Sequence, residues 1–243
     1  MIIKNKMGKG HIEVIISFIV FIGFLVFLFV IFNPLNKPVN KNLTNIVFFN
    51  IGENITTNIT SSSIRINDDV NIDGQGCFTI QESDLPSLVC VNPKKILAKN
   101  SSETIVASKV NNGININFGG QDKFYIIYCS EEITENENIE TDCISLNREN
   151  FTIGMINTRN AWSEKKLEKF EEEYLSNYDT LKDKLIPEGN DFGFIISNLS
   201  GSVLFKGEKT IPKGVNVNAN TIPVNLIDSN ANIKSGTATI MIW

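Results

Sequence analysis

Hydrophobic and polar positions are distributed very unevenly along this chain. Residues Val14 to Phe32 read VIISFIVFIGFLVFLFVIF, an apolar run interrupted only by Ser17 and Gly23. At 1.5 Å rise per residue such a helix is roughly 28 Å long, close to the roughly 30 Å hydrocarbon core of a bilayer. A helix packed on a globular core would carry a polar stripe at 3.6 spacing, and this run has none. A cleaved secretory signal has a shorter apolar region and a small-residue cleavage site. Here the run passes into Phe32-Asn33-Pro34. The pattern therefore predicts a retained transmembrane helix over 9–33, in contact with lipid through 12–32. Lys4, Lys6 and Lys9 precede it, and Lys37 and Lys41 follow. That bias predicts a single-pass topology with a cytoplasmic N-terminus and an extracytoplasmic bulk.

Beyond the run the pattern changes. Residues 34–44 are polar with two prolines and suit a linker. Short runs rich in Ile, Val and aromatics follow at 45–51, 62–66, 77–80, 87–91, 103–110, 113–118 and 123–129, separated by Asn, Asp, Gly and Ser. Ile114, Ile116 and Phe118 alternate with Asn115 and Asn117, as in a half-buried antiparallel strand. These runs predict a β-sandwich-like module over 45–157. Between 162 and 185, Leu167, Phe170, Tyr174, Tyr178, Leu181 and Leu185 recur at spacings of three and four. That spacing predicts one long amphipathic helix packed on its own sheet. Further strands are expected at 191–197, 202–207, 215–227 and 232–243, so 158–243 reads as a second, α+β module. The fold class is α+β: one N-terminal transmembrane helix, then a mainly antiparallel β ectodomain with one long amphipathic helix.

Composition narrows the chemistry. The 243 residues hold 22 Lys+Arg against 27 Asp+Glu, 4 Cys and 1 His. With His11 alone, catalytic triads, Cys-His dyads and multi-His metal sites are not available. The net charge of −5 gives no basic surface for nucleic acid. Cys77 and Cys90 lie close in sequence, as do Cys129 and Cys143, which suits two local disulfides in an oxidising compartment; four buried thiols are the alternative. Sequons at Asn42, Asn54, Asn58, Asn100, Asn150 and Asn198 are candidate glycosylation sites, although abundant Asn produces some by chance. Asp69, Asn71 and Asp73, followed by Gly74, match the opening of a calcium loop. The twelfth position is Ile80 in place of the bidentate Glu, so a plain turn is the stronger reading. Calcium is the one cofactor considered. The acidic run between Cys129 and Cys143 reads as a solvated loop, because a glycosidase needs two carboxylates on opposed faces of a cleft. No enzymatic constellation emerges, and no small-molecule ligand is implied.

The most specific motif precedes the apolar run: Met7-Gly8-Lys9-Gly10-His11-Ile12-Glu13. A short basic leader over 1–8, a Gly, and a Glu five positions later at the mouth of an apolar helix resembles a type IV prepilin signal. It is most similar to the archaeal class III form. The resemblance implies cleavage after Gly8, Lys9 as the new first residue, and Glu13 as its fifth. It also implies a pairing between that carboxylate and the free amine of a neighbouring subunit during assembly. Asn33-Pro34 stops the helix, and Pro38 follows, which reads as a tether. An ordinary signal anchor whose Lys and Glu merely flank a helix is the alternative. Two functions follow as expectations. One is a membrane-anchored, pilin-like or minor-pilin-like subunit of an archaeal surface appendage, with pilin-like subunits as partners. The other is a monomeric ectodomain that binds a protein or a glycan.

Overall fold

The computed structural model describes residues 9–31, 41–70, 76–85, 95–110, 113–117, 122–134, 143–186 and 189–243. The chain divides into two compact units, Met1–Lys41 and Asn42–Trp243. The first contains helix α1, Lys9–Ile31. Its described side chains run from Val14 to Phe29 and are exposed at successive positions all round the helix. Among the described residues, no helix is long and apolar enough to cross a membrane. This corrects the transmembrane part of the fold class and the single-pass localisation expected from residues 9–33, and the lipid contact through 12–32 rested on the same span.

The second unit opens with helix α2, Lys41–Ile55, where the sequence pattern suggested a linker to 44 and a strand over 45–51. Val47, Ile51 and Ile55 are buried on one face, with Leu43 partly buried beside them. The strands are β1 (Thr56–Ile66), β2 (Cys77–Gln81), β3 (Lys95–Asn100), β4 (Ile105–Val110), β5 (Gly113–Asn117), β6 (Phe124–Ser130), β7 (Ile144–Leu146), β8 (Phe151–Ser163), β9 (Phe192–Asn198), β10 (Val203–Gly207), β11 (Asn218–Ile227) and β12 (Ile233–Ile242). Among the described residues they form one hydrogen-bonded sheet, in the order β10-β9-β12-β11-β8-β1-β6-β3-β4-β5-β2-β7. Most pairs are antiparallel; β2–β7 and β8–β11 are parallel.

The sheet has two halves joined at one narrow place. Strands β8 and β1 pair along most of their length. Strands β8 and β11 pair only at Trp162–Leu226 and Ser163–Ile227. In the larger half the sheet curls over itself: Phe78 of β2 and Tyr125 of β6, four places apart in strand order, have ring centroids 5.5 Å apart. Their rings sit in a core with Ile64, Ile80, Ile116 and Phe151. A bulge helps the turn: Ser62 faces Ile156 but Ile64 faces Ile153, so β8 carries one extra residue beside Gly154. In the smaller half, helices cover the sheet.

The long helix expected over 162–185 is two helices. Trp162 and Ser163 belong to β8, α3 spans Glu164–Ser176 and α4 spans Tyr178–Leu185. Ser163 ends the strand and caps α3, its hydroxyl accepting from the Lys166 N–H at 3.1 Å. Asn177 breaks the helix, yet Tyr174 and Tyr178 stay on the buried face, edge to face at 5.0 Å. Both rings pack on Phe192, and Tyr174 also packs on Phe194. The Tyr174 hydroxyl donates to the Phe192 carbonyl at 2.6 Å, which satisfies the one polar atom on a buried ring. A third cluster, Ile59, Leu97, Ile133, Ala161, Ile227 and Ala231, lies where the β11–β12 turn packs beside β3 and β1.

The cysteines pair over a longer range than their spacing suggested. Cys77 is bonded to Cys143, with Cα atoms 4.8 Å apart and a sequence separation of 66. The reason is topological: β2 and β7 run parallel with Phe78 opposite Ile144, so the residues just before each are neighbours. Cys129 is also disulfide-bonded, and Cys90 lies outside the described residues. On the chain-entropy model the Cys77–Cys143 loop restricts the unfolded chain by about 4 kcal/mol, against about 3 kcal/mol for a short local loop.

Packing under α3 is tight enough to test. A Cβ at Gly207 would meet Phe194 Cε1 and would lie 2.7 Å from Tyr174 Cγ. Both rings belong to the core and cannot swing away. Gly207→Ala is expected to cost about 1–3 kcal/mol, lowering Tm by roughly 3–10 °C. Calorimetry of the variant beside the unsubstituted protein measures the effect.

Candidate functional site

The residues singled out in the sequence do not converge on one place. Gly8, Asn71 and Asp73 lie outside the described residues; Lys9 begins α1 and Glu13 lies one turn on. Asp69 sits exposed in the turn after β1, and among the described residues no group of acidic, Cys or His side chains could hold a metal. Asn42 is in α2. Asn54 and Asn58 are exposed near the α2–β1 junction. Asn100, Asn150 and Asn198 are half-buried, and each uses its side-chain oxygen to hold its own turn. Asn100 accepts from the Thr104 N–H at 2.9 Å, Asn150 from the Asn147 N–H at 2.8 Å and Asn198 from the Ser202 N–H at 2.9 Å.

A groove of about 810 Å³ opens beside the α2–β1 junction. Phe48, Phe49 and Trp162 form its apolar wall, and Glu53, Glu131 and Lys166 supply charge. Phe48 leans on Trp162 with ring centroids 5.0 Å apart, while Phe49 is 62% exposed. Helix α2 sets this up, since Phe48 and Phe49 follow each other and must point in different directions around a helix. Lys166 is held in place: Nζ donates to the Thr56 carbonyl at 3.0 Å and lies 3.5 Å from the nearly buried Glu132 carboxylate. Asn58, a sequon residue, lines the same groove. An apolar ring pair with flanking carboxylates and an amide can take up a flat polar molecule or a partner side chain. Among the described residues that line it, no hydroxyl is seen hydrogen-bonded to a base.

The second cluster lies in the turn between β11 and β12. Asp228 Oδ1 accepts the backbone N–H groups of Asn230 and Asn232, both at 2.9 Å. Asp228 Oδ2 accepts from Asn232 Nδ2 at 2.8 Å and lies 3.2 Å from Lys234 Nζ. Asn232 Oδ1 in turn accepts from Lys99 Nζ at 2.6 Å. Lys99 comes from β3 and is 4% exposed. It lies on the same strand face as Leu97 by alternation, its amine 5.3 Å from the Tyr128 ring centre. Burial lowers the Lys99 pKa, outweighing the opposing pull of Asp228 and Glu103. Burial also works against the Asp228 carboxylate, but the hydrogen bonds from Asn232, Lys234 and Asn230 prevail and hold its pKa below the usual range. A pocket of about 360 Å³ opens onto this cluster, lined by Lys99, Tyr128, Arg159 and Asn232 among others.

Comparison with protein-family models, curated proteins and solved structures finds no match to this chain.

A third polar group anchors α4. Asp191 Oδ1 accepts from Lys182 Nζ and from the Tyr178 hydroxyl, both at 2.9 Å. The Lys182 hydrogen bond is the main reason that the Asp191 pKa lies below the ordinary value. Burial pushes the Tyr178 and Tyr174 phenols upward. Carboxylates depressed in the folded state stabilise it above their unfolded pKa of about 3.9. That contribution is lost as pH falls through the lower folded values. The urea midpoint is therefore expected to hold steady down to about pH 4 and to decline below it. Asp191→Asn should make the acid decline shallower; an unchanged slope would remove Asp191 from the explanation.

Proposed function

We propose that this protein is a pilin-like structural subunit whose α1 helices pack against one another in an assembly. The observation that carries this reading is the exposure of α1. Large apolar side chains from Val14 to Phe29 are open at consecutive positions, Phe29 at 72% and Val14 at 68%. Exposed apolar surface on that scale calls for a covering partner. The same helix from other copies meets the need with matched chemistry. Support comes from the leader sequence: Lys9 follows Gly8, and Glu13 stands five positions beyond Gly8. A free amine at Lys9 and a carboxylate at Glu13 on adjacent copies would pair and set their stagger. The Cys77–Cys143 disulfide and the curled sheet fit a head that must stay folded in an exposed assembly.

A second reading rests on the groove at Phe48, Phe49 and Trp162. There the protein is a monomeric domain that binds a protein or glycan partner and joins no filament. The two readings separate at the N-terminus and at α1. Under the first, the chain isolated from its own cells starts at Lys9. Ile19→Cys then gives disulfide-linked copies on mild oxidation, whereas a cysteine at exposed Ile211 does not. A chain starting at Met1 or Ile2, with Ile19→Cys remaining monomeric, would eliminate the filament reading. Under the second, neutral oligosaccharides change tryptophan fluorescence, and Phe49→Ala abolishes the change.

A further inference from the structure

The Lys99, Asn232 and Asp228 cluster is more than a hydrogen-bonded turn. We propose that Lys99 and Asn232 join spontaneously in the folded chain through an intramolecular amide bond between Lys99 Nζ and Asn232 Cγ, with Asp228 carrying the proton. This inference does not depend on the filament reading.

Four observations bear on it. The reacting atoms are already together. Lys99 Nζ is 2.6 Å from Asn232 Oδ1, and a C=O bond of about 1.23 Å then keeps Nζ within about 3.8 Å of Cγ. That is near the separation of a productive encounter, so folding alone supplies most of the proximity. The amide is immobilised, since Oδ1 faces Lys99 and Nδ2 donates to Asp228 Oδ2 at 2.8 Å. Lys99 is 4% exposed with its amine 5.3 Å from the Tyr128 ring centre, and this burial lowers its pKa, which raises the share of neutral, nucleophilic amine. Finally, the carboxylate touches the leaving nitrogen itself, and its other oxygen is fixed by two backbone N–H groups.

The chemistry balances without an added reagent. The Nζ lone pair attacks Cγ and forms the new C–N bond. A proton shed by Nζ passes through the Asp228 carboxylate to Nδ2. The Cγ–Nδ2 bond then breaks and ammonia leaves through the adjoining pocket of about 360 Å³. Nothing is oxidised or reduced, and Asp228 ends as it began. Asp228 is a catalytic residue here because it contacts the reacting amide. Lys234, at 3.2 Å from Asp228 Oδ2, is a positioning residue that keeps the carboxylate ionised.

The consequence is mechanical. Lys99 lies in the larger half of the sheet and Asn232 leads into β12 of the smaller half, 133 residues away in sequence. The bond would tie the halves covalently at a second point.

The test is mass spectrometry of the folded, full-length protein. The intact chain is expected to be lighter by one ammonia than its sequence, beyond the hydrogens lost at disulfides. After reduction and trypsin, residues 96–109 should appear joined to residues 214–234, with no cleavage after Lys99. A succinimide at Asn232 would lose the same mass without joining two peptides, so the branched peptide decides. Lys99→Met should keep the full mass. Asp228→Ala should stay folded by circular dichroism and lose the cross-link almost entirely. A folded wild-type chain of full mass with no branched peptide overturns the proposal. A cross-link that forms undiminished in folded Asp228→Ala overturns the proton-carrying role of Asp228.

Discussion

The two-residue pairing of Trp162 and Ser163 with Leu226 and Ile227 is the hinge on which the second unit depends. Everything on one side of it is β-curl; everything on the other is helix on sheet. Both residues do several jobs at once. Trp162 pairs across to Thr56, supports Phe48 and fills the core beneath the helices. Ser163 pairs with Ile227, is fully buried, and starts α3 through its hydroxyl. A substitution at Ser163 therefore removes a helix cap at the one point where strand, helix and the facing half of the sheet coincide.

That junction explains why helix α3 begins where it does and why the sequence pattern placed the start too early. Trp162 looked like the first turn of an amphipathic helix because it precedes a run of charged residues. In the fold it is the end of a thirteen-residue strand that is exposed through its middle. The pairing with β1 overrides the local signal, since β8 contributes to two cores at its ends and needs little apolar content between them. The stripe from Leu167 to Leu185 was legible, and so were β2, β5, β6 and β9 to β12, because each alternates or clusters strongly enough to stand without context. The Asn177 break was not, because the apolar spacing continues across it.

Other features were carried by contacts that no short window contains. Helix α2 hides behind NIVFFNI, a β-like string, yet Leu43, Val47, Ile51 and Ile55 recur every four residues; reading a longer window would have found it. The Cys77–Cys143 link depends on β2 meeting β7, which neighbouring cysteines in sequence cannot reveal. Lys99 was passed over because KILAKN is a short strand flanked by lysines, and only the fold turns its second lysine inward. Asp228 to Asn232 was recognisable as turn chemistry but not as the partner of a buried amine. In each case the residue types were visible and their distant partner was not.

The narrow join and the Lys99 cluster are parts of one structural problem. A sheet held together across its middle by two residue pairs depends on the contacts around that join, including the core that Trp162 and Leu226 share beneath the helices. Contacts that oppose opening there include the backbone pairing itself, the small apolar cluster around Ile227 and Ala231, the Lys99–Asn232 contact, and a hydrogen bond from the Thr134 N–H to the Ser229 carbonyl at 3.0 Å. The first two are short-ranged and share the same few residues, so they fail together. The third reaches from β3 to the entry of β12 and is polar, hence weak while it remains only a hydrogen bond. Burying a lysine beside an amide is a costly way to gain one hydrogen bond, since an isoleucine would fill the space with less desolvation. The arrangement makes physical sense when the hydrogen bond is the precursor of something stronger, placed where the sheet most needs it.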